Sequence, residues 1–150
     1  MFRTIVLMLF IIWGVKASDD RLPLPRFATL KTDLINLRVG PGENFPITDV
    51  YKKKNFPIQI VAEFQDWRKI KDFEETTGWV HKSMLKGKRF CLILKPTFLF
   101  KKPLEDSGKK AKIHQHVVAE LKGCNQNFCR LVFSDMKMEG WVLKSTLWGV

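Results

Sequence analysis

Hydrophobic and polar residues alternate along short stretches of this chain, and a period of two is typical of β-strands. In Pro57–Phe64 every second residue from Ile58 onward is apolar, while Gln59 and Glu63 fall on the other side. Trp67–Lys71 follows after two polar residues, which is the spacing of a β-hairpin. No longer window shows the helical period, so the pattern predicts an all-β fold.

The predicted strands fall into two similar sets of short segments. Five or so strands in about 60 residues favour a small closed barrel, because closure removes exposed strand edges. Residues 82–85 and 144–147 are long enough for one helical turn each. The predicted strands are Ile35–Arg38, Pro57–Phe64, Trp67–Lys71 and 78–81 in the first set, and Thr97–Phe100, 117–122, Phe128–Phe133 and 140–143 in the second.

These two sets reflect an internal repeat. A repeat is best recognised from several blocks in the same order at nearly constant spacing. Units of about 60 residues are marginally stable alone, so repeats at 27–87 and 88–150 are expected to pack together as two small barrels. The matching blocks are Gly78-Trp79-Val80 with Gly140-Trp141-Val142, Trp67-Arg68-Lys69-Ile70 with Phe128-Cys129-Arg130-Leu131, and Leu37 and Pro41 with Leu99 and Pro103.

Residues 1–17 have the layout of a secretory signal peptide. Arg3 precedes the apolar stretch 4–15, and Ala17 provides a small residue for cleavage before Ser18. The apolar stretch is shorter than the ~20 residues that a membrane-spanning helix needs. We therefore expect export, no stable membrane span after signal removal, and an extended lead-in over 18–26.

The net positive charge of the chain indicates which kinds of anionic partner an exported protein could bind. Of the 150 residues, 26 are Lys or Arg and 15 are Asp or Glu, so the formal net charge is +11. Such a surface would suit nucleic acid, but export makes nucleic acid an implausible partner. The anions of a cell envelope are peptidoglycan carboxylates, phosphorylated lipid headgroups and acidic proteins, although scattered lysines also serve solubility.

The three cysteines have different expected roles. Cys124 and Cys129 lie on either side of a predicted hairpin turn, where their Cα atoms come close enough for a disulfide. An exported chain meets an oxidising compartment, which favours that bond. Cys91 is left over and is either a buried strand residue, the interpretation we favour, or a site for intermolecular pairing.

The chain offers little that is typical of an enzyme or a metalloprotein. A cell-wall peptidase would use a cysteine with a histidine, but the three cysteines stand in no recognisable catalytic signature. His114 and His116 would face the same side of an extended segment, but two ligands fall short of the three or four of a zinc site. We expect no catalytic residues, no metal and no cofactor.

Three motifs of the first repeat together resemble the bacterial SH3-like (SH3b) family. They are Asn36-Leu37-Arg38-Val39-Gly40-Pro41-Gly42, Trp67-Arg68-Lys69-Ile70 and Gly78-Trp79-Val80. The resemblance implies an SH3-like β-barrel with a binding role, which in several relatives is directed to peptidoglycan. The second repeat departs from the pattern, because 98–104 has lost the asparagine, the arginine and both glycines.

The first repeat is therefore the expected binding unit. Trp67 begins a strand beside a turn, and Asn44, Phe45 and Tyr51 could complete a shallow groove with it. Trp79 and Trp141 occupy repeated strand positions and are assigned to packing in the core or at the barrel ends. The second repeat is expected to support the first.

The sequence thus predicts a non-catalytic, periplasmic or otherwise exported binding module for peptidoglycan or another anionic envelope component. The alternative is a protein–protein adaptor in the bacterial envelope that does not bind the cell wall. Salt-sensitive sedimentation with cell-wall sacculi would favour the first function, and specific co-purification of an envelope protein would favour the second.

Overall fold

A computed structural model describes residues 22–150 as two seven-stranded antiparallel sheets, one for each repeat. The predicted signal peptide and its cleavage point lie outside the described residues. The first sheet contains β1 (Arg26–Leu30), β2 (Ile35–Arg38), β3 (Ile47–Tyr51), β4 (Pro57–Phe64), β5 (Trp67–Lys71), β6 (Thr77–His81) and β7 (Leu85–Lys86). The second contains β8 (Phe90–Ile93), β9 (Thr97–Phe100), β10 (Lys109–Ile113), β11 (Val118–Cys124), β12 (Phe128–Phe133), β13 (Met138–Leu143) and β14 (Leu147–Trp148).

The two sheets have the same topology. Their strand orders are β3-β2-β6-β5-β4-β1-β7 and β10-β9-β13-β12-β11-β8-β14, so each strand of the first sheet has an equivalent seven strands later. One 3-10 turn per repeat, Lys82–Met84 and Lys144–Thr146, precedes the last strand. The all-β prediction is confirmed. The predicted closure of each barrel is not, because within residues 22–150 no ladder pairs the first strand of either order with its last.

Strand pairing also shows which residues of the two repeats are equivalent. Trp67 lies opposite His81 in the first sheet, and Phe128 lies opposite Leu143 in the second. The ladder between the fourth and fifth strands shifts register between Ile60 and Ala62, and its counterpart shifts between Leu121 and Gly123. The two hairpins are therefore copies of each other, including their irregularity.

Each sheet surrounds its own apolar core. The core of the first repeat is formed by buried residues of β1, β2, β4, β5 and β6. The core of the second repeat is formed by the equivalent strands and also by Ile113 of β10 and Leu147 of β14. Cys91 is completely buried in the second core, as the favoured interpretation had it. Its burial raises the pKa of the thiol to about 12, because a thiolate loses its hydration in apolar surroundings.

Core packing explains why the repeated Gly-Trp-Val motif contains a glycine and a valine. Val80 and Val142 are fully buried, and a Cβ atom on Gly78 would lie 2.3 Å from Cγ of Leu37. Only a residue without a side chain leaves room for the leucine of the neighbouring strand. The tryptophan between them faces the other side of the strand.

Trp79 and Trp141 consequently lie half-buried on the outer faces of their sheets and belong to neither core. Of the two packing roles predicted for them, packing in the core is wrong, and packing at the barrel ends stays a prediction. In a strand of period two, the residue between two inward-facing positions must point outward, and here those positions are already taken by glycine and valine.

The two repeats contact each other through aromatic and basic side chains. The rings of Phe27 and Trp148 meet edge to face at 5.0 Å between centroids, and the guanidinium of Arg89 lies 5.4 Å from the centre of the Phe27 ring. Elsewhere Lys53 Nζ donates a hydrogen bond of 3.1 Å to the backbone oxygen of His116. These contacts join the repeats across the short connection between β7 and β8.

Among residues 22–150, no helix has the length and apolarity to cross a membrane.

Candidate functional site

A groove of about 250 Å³ lies on the first repeat where the strand pair β5–β6 meets the loop between β2 and β3. It combines an aromatic ring, an imidazole, a guanidinium and a carboxylate with apolar contacts. Its lining residues are Leu34, Asn36, Arg38, Glu43, Trp67, His81 and Met84.

Trp67 and His81 form one wall of this groove. They are directly opposite each other in the β5–β6 ladder, and their rings meet edge to face at 5.6 Å between centroids. Nδ1 of His81 accepts a hydrogen bond of 3.2 Å from the backbone N–H of Ser83 and lies 2.7 Å from its hydroxyl oxygen. The imidazole is thereby fixed in orientation, and it holds the tryptophan edge in place.

The other wall depends on the loop that follows β2. Arg38 Nη1 donates hydrogen bonds to the backbone oxygens of Glu43 (3.0 Å) and Phe45 (2.8 Å), which ties the loop to the strand. The Phe45 ring covers Gly40 so closely that a Cβ atom there would lie 2.4 Å from the ring. A side chain at position 40 would therefore displace the Phe45 ring from the loop.

The structure brings only part of the predicted residue set together. Trp67 lines the groove, whereas Asn44 and Phe45 lie in the bordering loop, and the side chain that reaches the groove from this loop is Glu43. Phe45 is 37% exposed and packs on the loop itself. The ligand-binding role of these residues stays a prediction.

Tyr51 lies in a separate aromatic cluster. Its hydroxyl donates a hydrogen bond of 2.9 Å to Oδ2 of Asp72, and its ring stacks on Phe56 at 6.2 Å. Burial and the nearby Asp72 carboxylate raise the pKa of Tyr51 well above its ordinary value. The cluster continues through Phe73 to His116 of the second repeat, so this tyrosine has a clear structural environment outside the groove.

The second repeat has a groove at the equivalent place, with a volume of about 540 Å³. Sequence reasoning missed it, although the equivalence of Glu105 to Glu43 and of Phe128 to Trp67 could have located it. Phe128 is only 6% exposed, so its ring forms a floor where Trp67 forms a wall. The lining residues are Glu105, Gln126, Asn127, Phe128, Leu143, Lys144, Ser145 and Val150.

The hairpins beside the two grooves are cross-linked at equivalent positions by different kinds of interaction. Glu63 and Arg68 are opposite each other in the β4–β5 ladder and form an ion pair of 3.1 Å. The equivalent residues of β11 and β12 are Cys124 and Cys129, which are joined by a disulfide. A salt bridge in one repeat thus stands where a covalent bond stands in the other.

His114 and His116 are exposed. Within residues 22–150, histidine, cysteine and acidic side chains form no group of three that could hold a metal ion.

The two antiparallel sheets define an all-β architecture. Residues 31–87, which lie in the first repeat, match the family model of the bacterial SH3 domain. Bacterial SH3 domains are often binding modules. A comparison with curated proteins finds no similar sequence.

Three solved structures are similar at low identity. NlpC2 from Trichomonas vaginalis is 12% identical with a TM-score of 0.38, over 83% of this chain and 48% of that chain. An NlpC/P60 family protein from Bacillus cereus is 13% identical with a TM-score of 0.37, over 81% and 55% respectively. NlpC1 from Trichomonas vaginalis is 13% identical with a TM-score of 0.37, over 93% and 50%. The chain spans about half the length of these structures.

Proposed function

We propose that this chain is a non-catalytic, periplasmic or otherwise exported bacterial binding protein whose first-repeat groove binds peptidoglycan or another anionic envelope component. The observation that carries the proposal is the partly exposed edge of Trp67 in a groove of the repeat that matches the bacterial SH3 domain model. Tryptophan offers a rigid apolar surface at low entropic cost, which makes it a frequent centre of binding energy.

The chemistry of the groove fits a ligand with both apolar and polar parts. The ring of Trp67 can pack on a sugar ring or an alkyl group, while the Asn36 amide offers hydrogen bonds. Arg38 supplies a cation that two backbone carbonyls already hold in place. An oriented guanidinium loses little further freedom when it meets a carboxylate.

A binding role also accounts for His81 and Ser83, the pair of side chains most like a catalytic arrangement. Their 2.7 Å separation would suit a nucleophile and its base. However, the same imidazole nitrogen accepts the Ser83 backbone N–H and caps the 3-10 turn. Within the part of the chain that the structure describes, no carboxylate is hydrogen-bonded to this ring to orient it for catalysis.

Sedimentation of the mature protein with purified sacculi tests the proposal. Trp67→Ala should weaken sedimentation by roughly ten-fold or more, as expected for a tryptophan at the centre of a binding site. Trp141→Ala is the matched control, since it removes a half-buried tryptophan from the outer face of the other repeat. Binding of the wild type should decrease with salt if the anionic groups of the ligand contribute.

The proposal is wrong if Trp67→Ala sediments like the wild type, or if the wild type does not sediment at all. Absence of sacculus binding together with specific co-purification of one envelope protein would establish the adaptor function in its place. If charge reversal at Lys109, Lys110 and Lys112 abolishes binding while Trp67→Ala preserves it, the contact is an electrostatic one on the second repeat.

A further inference from the structure

One ion pair of the first repeat has no counterpart in the second repeat, where the lysine is present and the aspartate is not. Lys82 Nζ lies 2.7 Å from Oδ1 of Asp66, and this contact lowers the pKa of the aspartate below its ordinary value. The equivalent residues of the second repeat are Lys144 and Asn127. The backbone is unchanged, because Lys82 N donates to Asp66 O and Lys144 N donates to Asn127 O, both at 2.8 Å.

Replacement of the aspartate by asparagine leaves the Lys144 ammonium without its local carboxylate. Lys144 is half-buried and lines the second-repeat groove, whereas Lys82 does not line the first-repeat groove. No ion pair of Lys144 occurs within residues 22–150. A partly buried cation beside an apolar floor favours an anionic partner, since water screens it less than a fully exposed charge.

The rest of the groove narrows the class of ligand. Glu105, the one acidic residue among its lining side chains, is exposed and makes no ion pair among the described residues. Gln126, Asn127 and Ser145 add amide and hydroxyl groups that can both donate and accept hydrogen bonds. A groove with one cation, one anion and several such groups is complementary to a short peptide with a free carboxylate and a free amine.

We infer that the second-repeat groove is a binding site for a short zwitterionic peptide, with the peptide carboxylate held by Lys144 and its ammonium group held by Glu105. This site is distinct from the first-repeat groove and does not depend on the function proposed for that groove. It also differs in chemistry, because the tryptophan–histidine wall is replaced by phenylalanine and leucine.

The disulfide organises one wall of this site before a ligand arrives. It closes the turn that carries Gln126 and Asn127. Within that turn, Asn125 Oδ1 accepts hydrogen bonds from the backbone N–H groups of Asn127 (3.0 Å) and Phe128 (2.7 Å). A wall that is already rigid loses less conformational entropy on binding.

Titration with trialanine, followed by NMR, tests the inference on the full mature chain. Trialanine should shift resonances of Lys144 and Ser145, and its C-terminal amide should bind roughly ten-fold more weakly, because it lacks the carboxylate. Lys144→Gln should weaken trialanine binding to a similar extent. Lys82→Gln is the matched control and should leave it unchanged.

Asn127→Asp provides a test that keeps the lysine. The new carboxylate recreates the ion pair of the first repeat, so trialanine binding should fall as it does in Lys144→Gln while the fold is preserved. Trp67→Ala should bind trialanine normally, which separates this site from the first-repeat groove. Equal binding of trialanine and its amide, or unchanged binding in Lys144→Gln, would overturn the inference, as would shifts confined to residues outside the groove.

Discussion

Substitution of Gly140 by alanine tests whether the repeated glycine is required by packing. A Cβ atom at Gly140 would lie 2.6 Å from the backbone oxygen of Phe100 and 2.8 Å from Cγ of the fully buried Leu99. Neither neighbour can withdraw easily, because the first belongs to the adjacent strand and the second fills the core. The β9 strand or the leucine must therefore shift.

The expected cost follows from two opposing effects. Overpacking of a well-packed core costs about 1–3 kcal/mol. We expect a cost in the upper part of that range, because the backbone oxygen of Phe100 cannot move without moving its strand. Replacement of glycine by alanine also lowers the conformational entropy of the unfolded chain, which stabilises the folded state by about 0.4–1 kcal/mol. We expect a net loss of about 1–2 kcal/mol in the free energy of unfolding of Gly140→Ala.

Urea denaturation of the wild type and the variant measures this loss. Gly123→Ala is the control, because a Cβ atom there would meet nothing within 4 Å, so its stability should be unchanged or slightly higher. If Gly140→Ala is as stable as Gly123→Ala, close approach of the strands does not explain the glycine.

The remaining predictions concern the cysteines and the N-terminus. Reduction of the Cys124–Cys129 bond should cost about 2 kcal/mol of stability for so short a loop, and non-reducing peptide mapping that shows Cys91 in a disulfide would contradict the pairing. Because the pKa of Cys91 is raised to about 12, its thiol should resist alkylation in the folded chain. Stability should also fall as the pH rises above the ordinary thiol pKa, because the unfolded chain loses that proton first; pH-independent unfolding up to the folded pKa would contradict this. Intact-mass measurement of exported protein should show an N-terminus near Ser18, and a mature species that keeps residues 1–17 would refute cleavage.

The sequence predicted eight of the fourteen strands of residues 22–150, which are those marked by alternation or by the repeated motifs. Pro57–Phe64 and Trp67–Lys71 are strands with the predicted bounds, because alternation there is maintained by the core. It missed β1, β3, β7, β8, β10 and β14. β1 and β8 belong to the cores, but their buried residues are consecutive and therefore show no alternation. β10 reads Lys-Lys-Ala-Lys-Ile and lies at the end of its sheet, where few inward residues are needed and charged side chains protect the exposed edge.

The candidate site was harder to predict, because it depends on which side of a strand each residue faces and on contacts between distant segments. Trp67 was identified from its position beside a turn. Tyr51 is close to the same loop in sequence, yet its hydrogen bond to Asp72 places it elsewhere. The second-repeat groove was overlooked because its loop lacks the glycines of the motif, whereas the groove is formed mainly by the hairpin and the 3-10 turn.

Because one hairpin is cross-linked by a salt bridge and the other by a disulfide, the two repeats respond to different solution conditions. The Glu63–Arg68 pair forms as soon as the chain folds and is weakened by ionic strength. The Cys124–Cys129 bond is insensitive to salt but requires an oxidant and is lost to a reductant. A chain that folds in a reducing compartment would therefore form the salt bridge of the first hairpin but not the disulfide of the second. The second repeat would reach its final rigidity only under oxidising conditions.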